Sequence, residues 1–313
     1  MKTEIVEIES ECLKDNFLKD DWKRQILVYR PDDAEGGLPL FIELAGTNWR
    51  PRTHNKFSLI IEKLFSSGLK AVVLNPNFST RYNMNQYLNS PAVGSYEDFI
   101  VKELIPYFKD KYGTDHTALF GKSSGGFGSY TLAARHPDII DGFADHFGDS
   151  CFFYLYADDM AAAFRYIQRH GKSESVKMLT SHMPSDDEMK VLNVIGSSAF
   201  YSPDMNDVNG FDLPFDEDTG ELIEDVWQRW VQFDPAKNVL KYSGALKKMK
   251  AIYLDVGTND EYKLYIGTRA LHKKLGLANI DHYYEEFNGG HFGNSERYLY
   301  SLPFLYRKLN DTA

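Results

Sequence analysis

Residues 118–130 read ALFGKSSGGFGSY. An apolar run, Ala118–Phe120, stops at Gly121, and behind Lys122 come two hydroxyls, Ser123 and Ser124. Gly125, Gly126 and Gly128 follow almost at once. Gly121, Ser123 and Gly125 satisfy G-x-S-x-G. Alone the pattern is weak: with Gly and Ser each near 7% of residues, chance gives about one match per ten chains of this length. Context strengthens it. The motif belongs between a strand and a helix, where the serine sits on a sharp, strained turn that no side chain crowds. Here a short apolar strand leads in and a helical pattern, Phe127–His136, leads out. Gly121 and Gly125 leave room for the turn, and Ser123 is the candidate nucleophile.

Working outward, strands and helices alternate. KRQILVYRP around Leu27 alternates as a half-buried strand does, and LPLFIELAG (Leu38–Gly46) suits a strand buried on both faces. KFSLIIEKLFSSG reads as a helix ending at Gly68, and KAVVLNPN as the next buried strand. SYEDFIVKELIPYFKDKYG is the clearest helix, with a capping-box-like start at Ser95 and Asp98, an end at Gly113 and an expected kink at Pro106. Beyond the serine motif, DGFADHFG, KKMKAIYLDVG and DHYYEEF read as strands, and KLYIGTRALHKKLG and SERYLYSLPFLYRKL as helices. The alternation predicts an α/β fold with a mainly parallel sheet covered on both faces. The two early strands, around Leu27 and at Leu38–Gly46, have no helix between them and are expected to form an antiparallel edge. Residues 149–243 break the alternation and read as a cap-like insertion of helices and loops in a single domain spanning 1–313.

The chain has 313 residues, enough to bury about three quarters of the unfolded surface without disulfides. Cys12 and Cys151 are its two cysteines, and the histidines show no metal-ligand spacing, so no metal is expected. MKTEIVEIESE lacks the basic start and apolar stretch of a secretory signal, and no window approaches the roughly 20 apolar residues of a membrane span. The expectation is a cytoplasmic protein without a membrane partner. A formal net charge of −10 argues against nucleic acid and for small neutral or organic substrates. Self-association is left open.

A serine nucleophile needs a base, and the base an orienting acid, in the chain order nucleophile, acid, histidine. After the strand AIYLDV comes GTNDEY, and after HYYEEF comes NGGHFGN. Asp260 is therefore the candidate acid, with Asp255 and Glu261 as rivals, and His291 the candidate base, with His146 as rival. The developing oxyanion needs two fixed N–H donors. One is expected from Ser124, the other from Gly46 or Thr47 in the loop after LPLFIELAG. Arg81 and Tyr82, after VLNPN, are candidate pocket residues near the strands' carboxyl ends. Aromatic residues of the insertion, among them Trp227 and Trp230, are candidates for a substrate wall. FDEDTGELIED fails as a calcium loop, because Phe215 and Val226 fall where carboxylates are needed.

Taken together, YEDFIVKELIPYFKDKYGT, GKSSGGFGSYTLAARHPD, GTNDEY and NGGHFGN resemble the putative-esterase family of α/β-hydrolases, from roughly Lys23 to Leu305. That branch includes enterochelin esterases, feruloyl esterases and S-formylglutathione hydrolases. The resemblance implies an eight-stranded sheet, a Ser123–His291–Asp260 triad and ester hydrolysis through an acyl-enzyme, with no cofactor. Two positions depart from the pattern. Ala45-Gly46 stands where many relatives have His-Gly, and Lys122 where relatives often have His. Lys122 is expected to face away from substrate and pair with an acidic neighbour. The sequence thus predicts a serine carboxylesterase for small acyl or aryl esters, favouring short acyl chains. An acyltransferase, a peptidase or amidase, or a non-catalytic binding protein on the same scaffold are the alternatives.

Overall fold

The computed structural model describes residues 1–33, 36–45 and 55–311. An eight-stranded sheet forms its centre. Its strands are β1 (Lys2–Glu9), β2 (Lys23–Arg30), β3 (Leu40–Leu44), β4 (Val72–Pro76), β7 (Thr117–Lys122), β8 (Gly142–His146), β9 (Ala251–Gly257) and β10 (Tyr283–Phe287), in the order β1-β2-β4-β3-β7-β8-β9-β10. A small antiparallel ladder, β5 (Asn89–Ser90) with β6 (Gly94–Ser95), stands apart. From β4 to β10 all neighbours are parallel, with Ile42 opposite Leu119, Gly121 opposite Asp145 and Phe287 opposite Gly257. β1 and β2 make the antiparallel edge.

That edge corrects one expectation. The Leu27 strand does not pair with the Leu38–Gly46 strand. The helix α1 (Lys56–Ser66) carries the chain from β3 to β4, and β4 lands between β2 and β3. The wholly buried β3 thereby gains a parallel partner on each side, and the acidic, alternating N-terminal segment becomes the outer strand. Its exposed Glu7 and Glu9 discourage edge-to-edge pairing.

Side chains alternate across the sheet and build two cores. Leu27, Tyr29, Phe41, Val73 and Phe120 face α1 and α12 (Tyr298–Asn310). Ile26, Val28, Ile42, Leu74 and Leu119 face α3 (Ile105–Tyr112), α4 (Ser124–Arg135) and α11 (Leu264–Leu277). The Pro106 disruption takes a different form from a kink. After α2 (Tyr96–Asp98), residues Phe99–Leu104 widen into a π-helical stretch, where the Ile105 N–H reaches back five residues to Ile100. Pro106 then sits at the start of α3, the position that tolerates a missing N–H. Ser95 makes no cap bond; Asn89 accepts from the Asp98 N–H instead, at 3.0 Å.

Between β8 and β9 run α5 (Phe152–His170), α6 (Lys172–Leu179), α7 (Asp186–Tyr201), α8 (Glu224–Val231), α9 (Pro235–Asn238) and α10 (Ser243–Leu246). Among the described residues no helix is long and apolar enough to cross a membrane.

Candidate active site

The site begins at the turn between β7 and α4. Ser123 has φ 56° and ψ −125°, a strained conformation for a residue with a Cβ. Its N–H donates to the His146 carbonyl at 3.1 Å, and its own carbonyl accepts from the Phe127 N–H at 3.0 Å. Neighbouring backbone therefore holds the strain. The glycines of the motif are steric necessities: a Cβ on Gly121 would lie 2.2 Å from the Leu44 carbonyl oxygen, and one on Gly125 only 1.8 Å from it. Any side chain at either position would push β3 away from the turn.

Ser124 is the first residue of α4, so no helical carbonyl accepts its N–H. The helix dipole adds positive potential at this end. A negative oxygen developing beside Ser123 would meet that donor. Gly46 and Thr47, the two candidates for the second donor, lie outside the described residues. The strand leading to them is anchored at Ala45, whose carbonyl accepts from the Tyr87 hydroxyl.

Because β7, β9 and β10 run parallel, the loops at their carboxyl ends emerge on the same side of the sheet. The β9 loop delivers Asp260 and the β10 loop His291. The His291 Nδ1 is 2.8 Å from an Asp260 carboxylate oxygen. The other Asp260 oxygen accepts from the N–H groups of Tyr262 (2.9 Å) and Leu264 (3.3 Å). This buried carboxylate is thus fixed on both sides, and an Nδ1–H donated to it leaves Nε2 as the basic nitrogen. The two loops fit because Gly257 has no side chain; a Cβ there would lie 2.4 Å from the Gly289 carbonyl. Phe147, Tyr262 and Phe292 surround the imidazole with ring centroids 4.6–5.1 Å away.

The rivals have other partners. Glu261 accepts from the His291 backbone N–H at 2.6 Å, which holds its carboxyl below the usual range. His146 and Asp255 bond each other inside the sheet, as expected of a strand-end packing residue.

Ser123, Ser124 and His291 line one cleft of about 910 Å³. Tyr82 lines it too. Arg81 does not: it is exposed, and its backbone N–H donates to Asp20 at 3.0 Å. Trp227 and Trp230 are also absent from the wall. Trp230 is wholly buried, donating from Nε1 to Ser202 at 2.9 Å and packed against Tyr156 and Tyr201, with Trp227 tilted against it. The aromatic residues between β8 and β9 mostly pack on one another, with Tyr154 reaching the cleft. Lys122 also lines the cleft. It bonds Ser295 at 2.9 Å rather than forming an ion pair, and burial lowers its pKa while Glu43 raises it.

Sequence reasoning missed three groups. Asp149, in the loop after β8, is buried in the cleft wall, and the field of His291 and the Ser123 hydroxyl both act on it. Burial pushes its carboxyl up to about 6, against the Gln86 amide that donates to it at 3.2 Å. The second group is Gln86 itself. The third is α7, whose residues Met189, Lys190, Leu192 and Asn193 line the cleft. This helix occupies text that reads as polar and turn-rich. Ser185 and Glu188 form a capping box at its start, and that S-x-x-E spacing was the available signal.

Comparison with known proteins agrees with this architecture. No curated protein matches the chain. Among solved structures it is similar to a ferulic acid esterase (TM-score 0.62, 17% identity, 98% of each chain covered). It is also similar to the fluorophosphonate-binding serine hydrolase FphF of Staphylococcus aureus (TM-score 0.60, 15% identity, 99% of each). A third is the S-formylglutathione hydrolase FrmB of Staphylococcus aureus (TM-score 0.57, 13% identity, covering 97% of this chain and 98% of that one). At such identities the likeness shows the α/β-hydrolase fold. The family model described as Putative esterase matches residues 19–295, and with that match the chain belongs to the putative-esterase family.

Proposed function

We propose that this protein is a carboxylesterase that cleaves small acyl or aryl esters through an acyl-enzyme on Ser123. The observation that carries the proposal is the pairing of His291 with the buried Asp260 on the wall of the cleft that also holds the strained Ser123. In this mechanism the Ser123 hydroxyl attacks the ester carbonyl while His291 Nε2 takes its proton. Asp260 fixes the tautomer and stabilises the imidazolium that forms. The tetrahedral oxyanion draws on the Ser124 N–H, with Gly46 or Thr47 proposed as the second donor. His291 then returns the proton to the leaving alcohol. Water, deprotonated by the same imidazole, releases the acid.

The cleft's size suits a small ester. Phe147, Tyr154, Tyr262 and Phe292 supply faces for an aryl group, while the polar Gln86, Asp149 and Asp159 in its wall disfavour a long alkyl chain. Residues 149–243 act in this proposal as the cap of a single domain.

A p-nitrophenyl ester series from acetate to dodecanoate tests the assignment. Wild type is expected to prefer the shortest chains, and Ser123→Ala to lose at least about 10³-fold in kcat. A fluorophosphonate is expected to label Ser123. Undiminished turnover by Ser123→Ala refutes the nucleophile; a rate that rises with chain length refutes only the size preference.

A further inference from the structure

The wall beside Ser123 carries several buried acceptors. Asp149 and Asp159 are both almost wholly buried, both line the cleft, and Asp159 feels the charge of Asp149. Neither forms an ion pair among the described residues. Of the lysines that line the cleft, Lys263 pairs with Asp158 at 2.6 Å, Lys190 with Asp187 at 3.5 Å and Lys56 with Glu296 at 3.2 Å, while Lys122 donates to Ser295 at 2.9 Å. Among the described cations, only the fields of Lys190 on Asp159 and of His291 on Asp149 reach the two acids. The donors bonded to the two side-chain carboxylates are neutral: the Gln86 amide to Asp149 at 3.2 Å, joined there by the Ser123 hydroxyl, and the Asn193 amide to Asp159 at 2.7 Å.

A second, independent feature is Gln86. Its side chain is fully buried and lines the cleft. Its Nε2 is used on Asp149, and its carbonyl Oε1 has no partner among the described residues. A buried acceptor without a donor is destabilising, and a buried carboxylate without a cation is more so. Three acceptors left in this condition around one cleft wall are complementary to a group that carries several donors and positive charge. Burial chiefly, with Asp260 beside Asp149 and with Asp158 and Asp149 beside Asp159, raises both carboxyls to about 6, so both are largely ionised at pH 7.5. Among the described residues no group of three or more His, Cys, Asp or Glu could hold a metal ion, which directs the inference to an organic cation.

We propose that Asp149, Asp159 and the Gln86 carbonyl form a subsite for the ammonium group of an amine-bearing ester, a few bonds from the scissile carbonyl. The proposal rests on Ser123 being the nucleophile. Protonated amine displaces cleft water, its N–H groups supply the missing donors, and its charge replaces the absent counter-ion. Attack on the carbonyl then proceeds as for any ester.

The test compares isosteric pairs at pH 7.5. Methyl β-alaninate is set against methyl butanoate for an amine on the acyl side. 2-(Dimethylamino)ethyl acetate is set against 3-methylbutyl acetate for an amine on the alcohol side. Methyl 3-hydroxypropanoate is the neutral-donor control. In wild type, at least one amine ester is expected to exceed its hydrocarbon isostere about tenfold in kcat/KM. In Asp149→Asn and Asp159→Asn that ratio is expected to fall to about one. Equal rates within both pairs, or a hydroxy ester that matches the amine, overturn the proposal without any variant. Binding of the same pairs to Ser123→Ala by calorimetry separates the two readings. Amine-selective binding without wild-type hydrolysis rejects the esterase and keeps the subsite, whereas hydrolysis without amine selectivity does the reverse.

Discussion

His291 has a twin in this molecule. His146 holds Asp255 at Nδ1 (2.6 Å) and Ser301 Oγ at Nε2 (2.8 Å), a Ser–His–Asp chain with all three residues at 0% exposure. No ester reaches Ser301, so that chain pins α12 to the sheet and does no chemistry. The two histidines therefore predict opposite outcomes. Asp260→Asn offers Nδ1 an amide that can stabilise the wrong tautomer. It is expected to lower kcat by about 10³–10⁴-fold with the thermal midpoint little changed. Ser301→Ala leaves a buried ring nitrogen unpaired. It is expected to cost about 1–3 kcal/mol of stability while kcat at 25 °C is retained. Thermal melts and steady-state kinetics on the two purified variants check both. At this scale the sequence revealed what steric need writes into it: Gly121 and Gly125 bracket Ser123 because Leu44 leaves no room for a Cβ. Asp149 and Gln86 were illegible, since a single carboxyl or amide has no period or spacing, and its meaning comes from being buried in the cleft beside Ser123.

Elements were legible where burial is one-sided in cause. β3, β4, β7 and β9 are wholly or almost wholly buried and read directly as apolar runs. What those runs cannot state is their neighbours, so the insertion of β4 between β2 and β3 was lost. The long helix before β7 kept its apolar stripe but not its hydrogen-bond pattern. Pro106 sets that pattern through a π-helical stretch, which no stripe of side chains reveals. α7 was hidden for another reason. Its first turn carries Asp186, Asp187 and Glu188, which look like loop text yet favour a helix N-terminus. The capping box there makes a specific demand. Ser185→Ala removes the acceptor for the Glu188 N–H and is expected to cost about 1 kcal/mol. In a protein of this size that lowers the thermal midpoint by about 2–4 °C, measurable by calorimetry. Since α7 lines the cleft, KM for a short ester is expected to rise more than kcat falls.

Over the whole molecule, buried acids set the response to pH. Burial pushes Glu43 and Asp145 up to about 7, and Asp149 and Asp159 up to about 6. Unfolded, these carboxyls titrate near 4. Between about pH 4 and 7 the folded state therefore binds more protons than the unfolded chain, and stability falls as pH rises through that window. The net charge of −10 adds self-repulsion in the same direction. Opposing groups act lower down: Arg269 holds Glu286 down to about 2, so its contribution is lost only as pH drops below about 4. The thermal midpoint is expected to peak between about pH 4.5 and 6 and to decline toward pH 8. Glu43→Gln keeps hydrogen-bonding capacity beside Asn75 and Tyr298 but removes one of the charges that must form. Its decline between pH 6 and 8 should be shallower than that of wild type. A midpoint that climbs steadily from pH 5 to 8, unaltered in slope by Glu43→Gln, would mean that these acids ionise freely in the folded state.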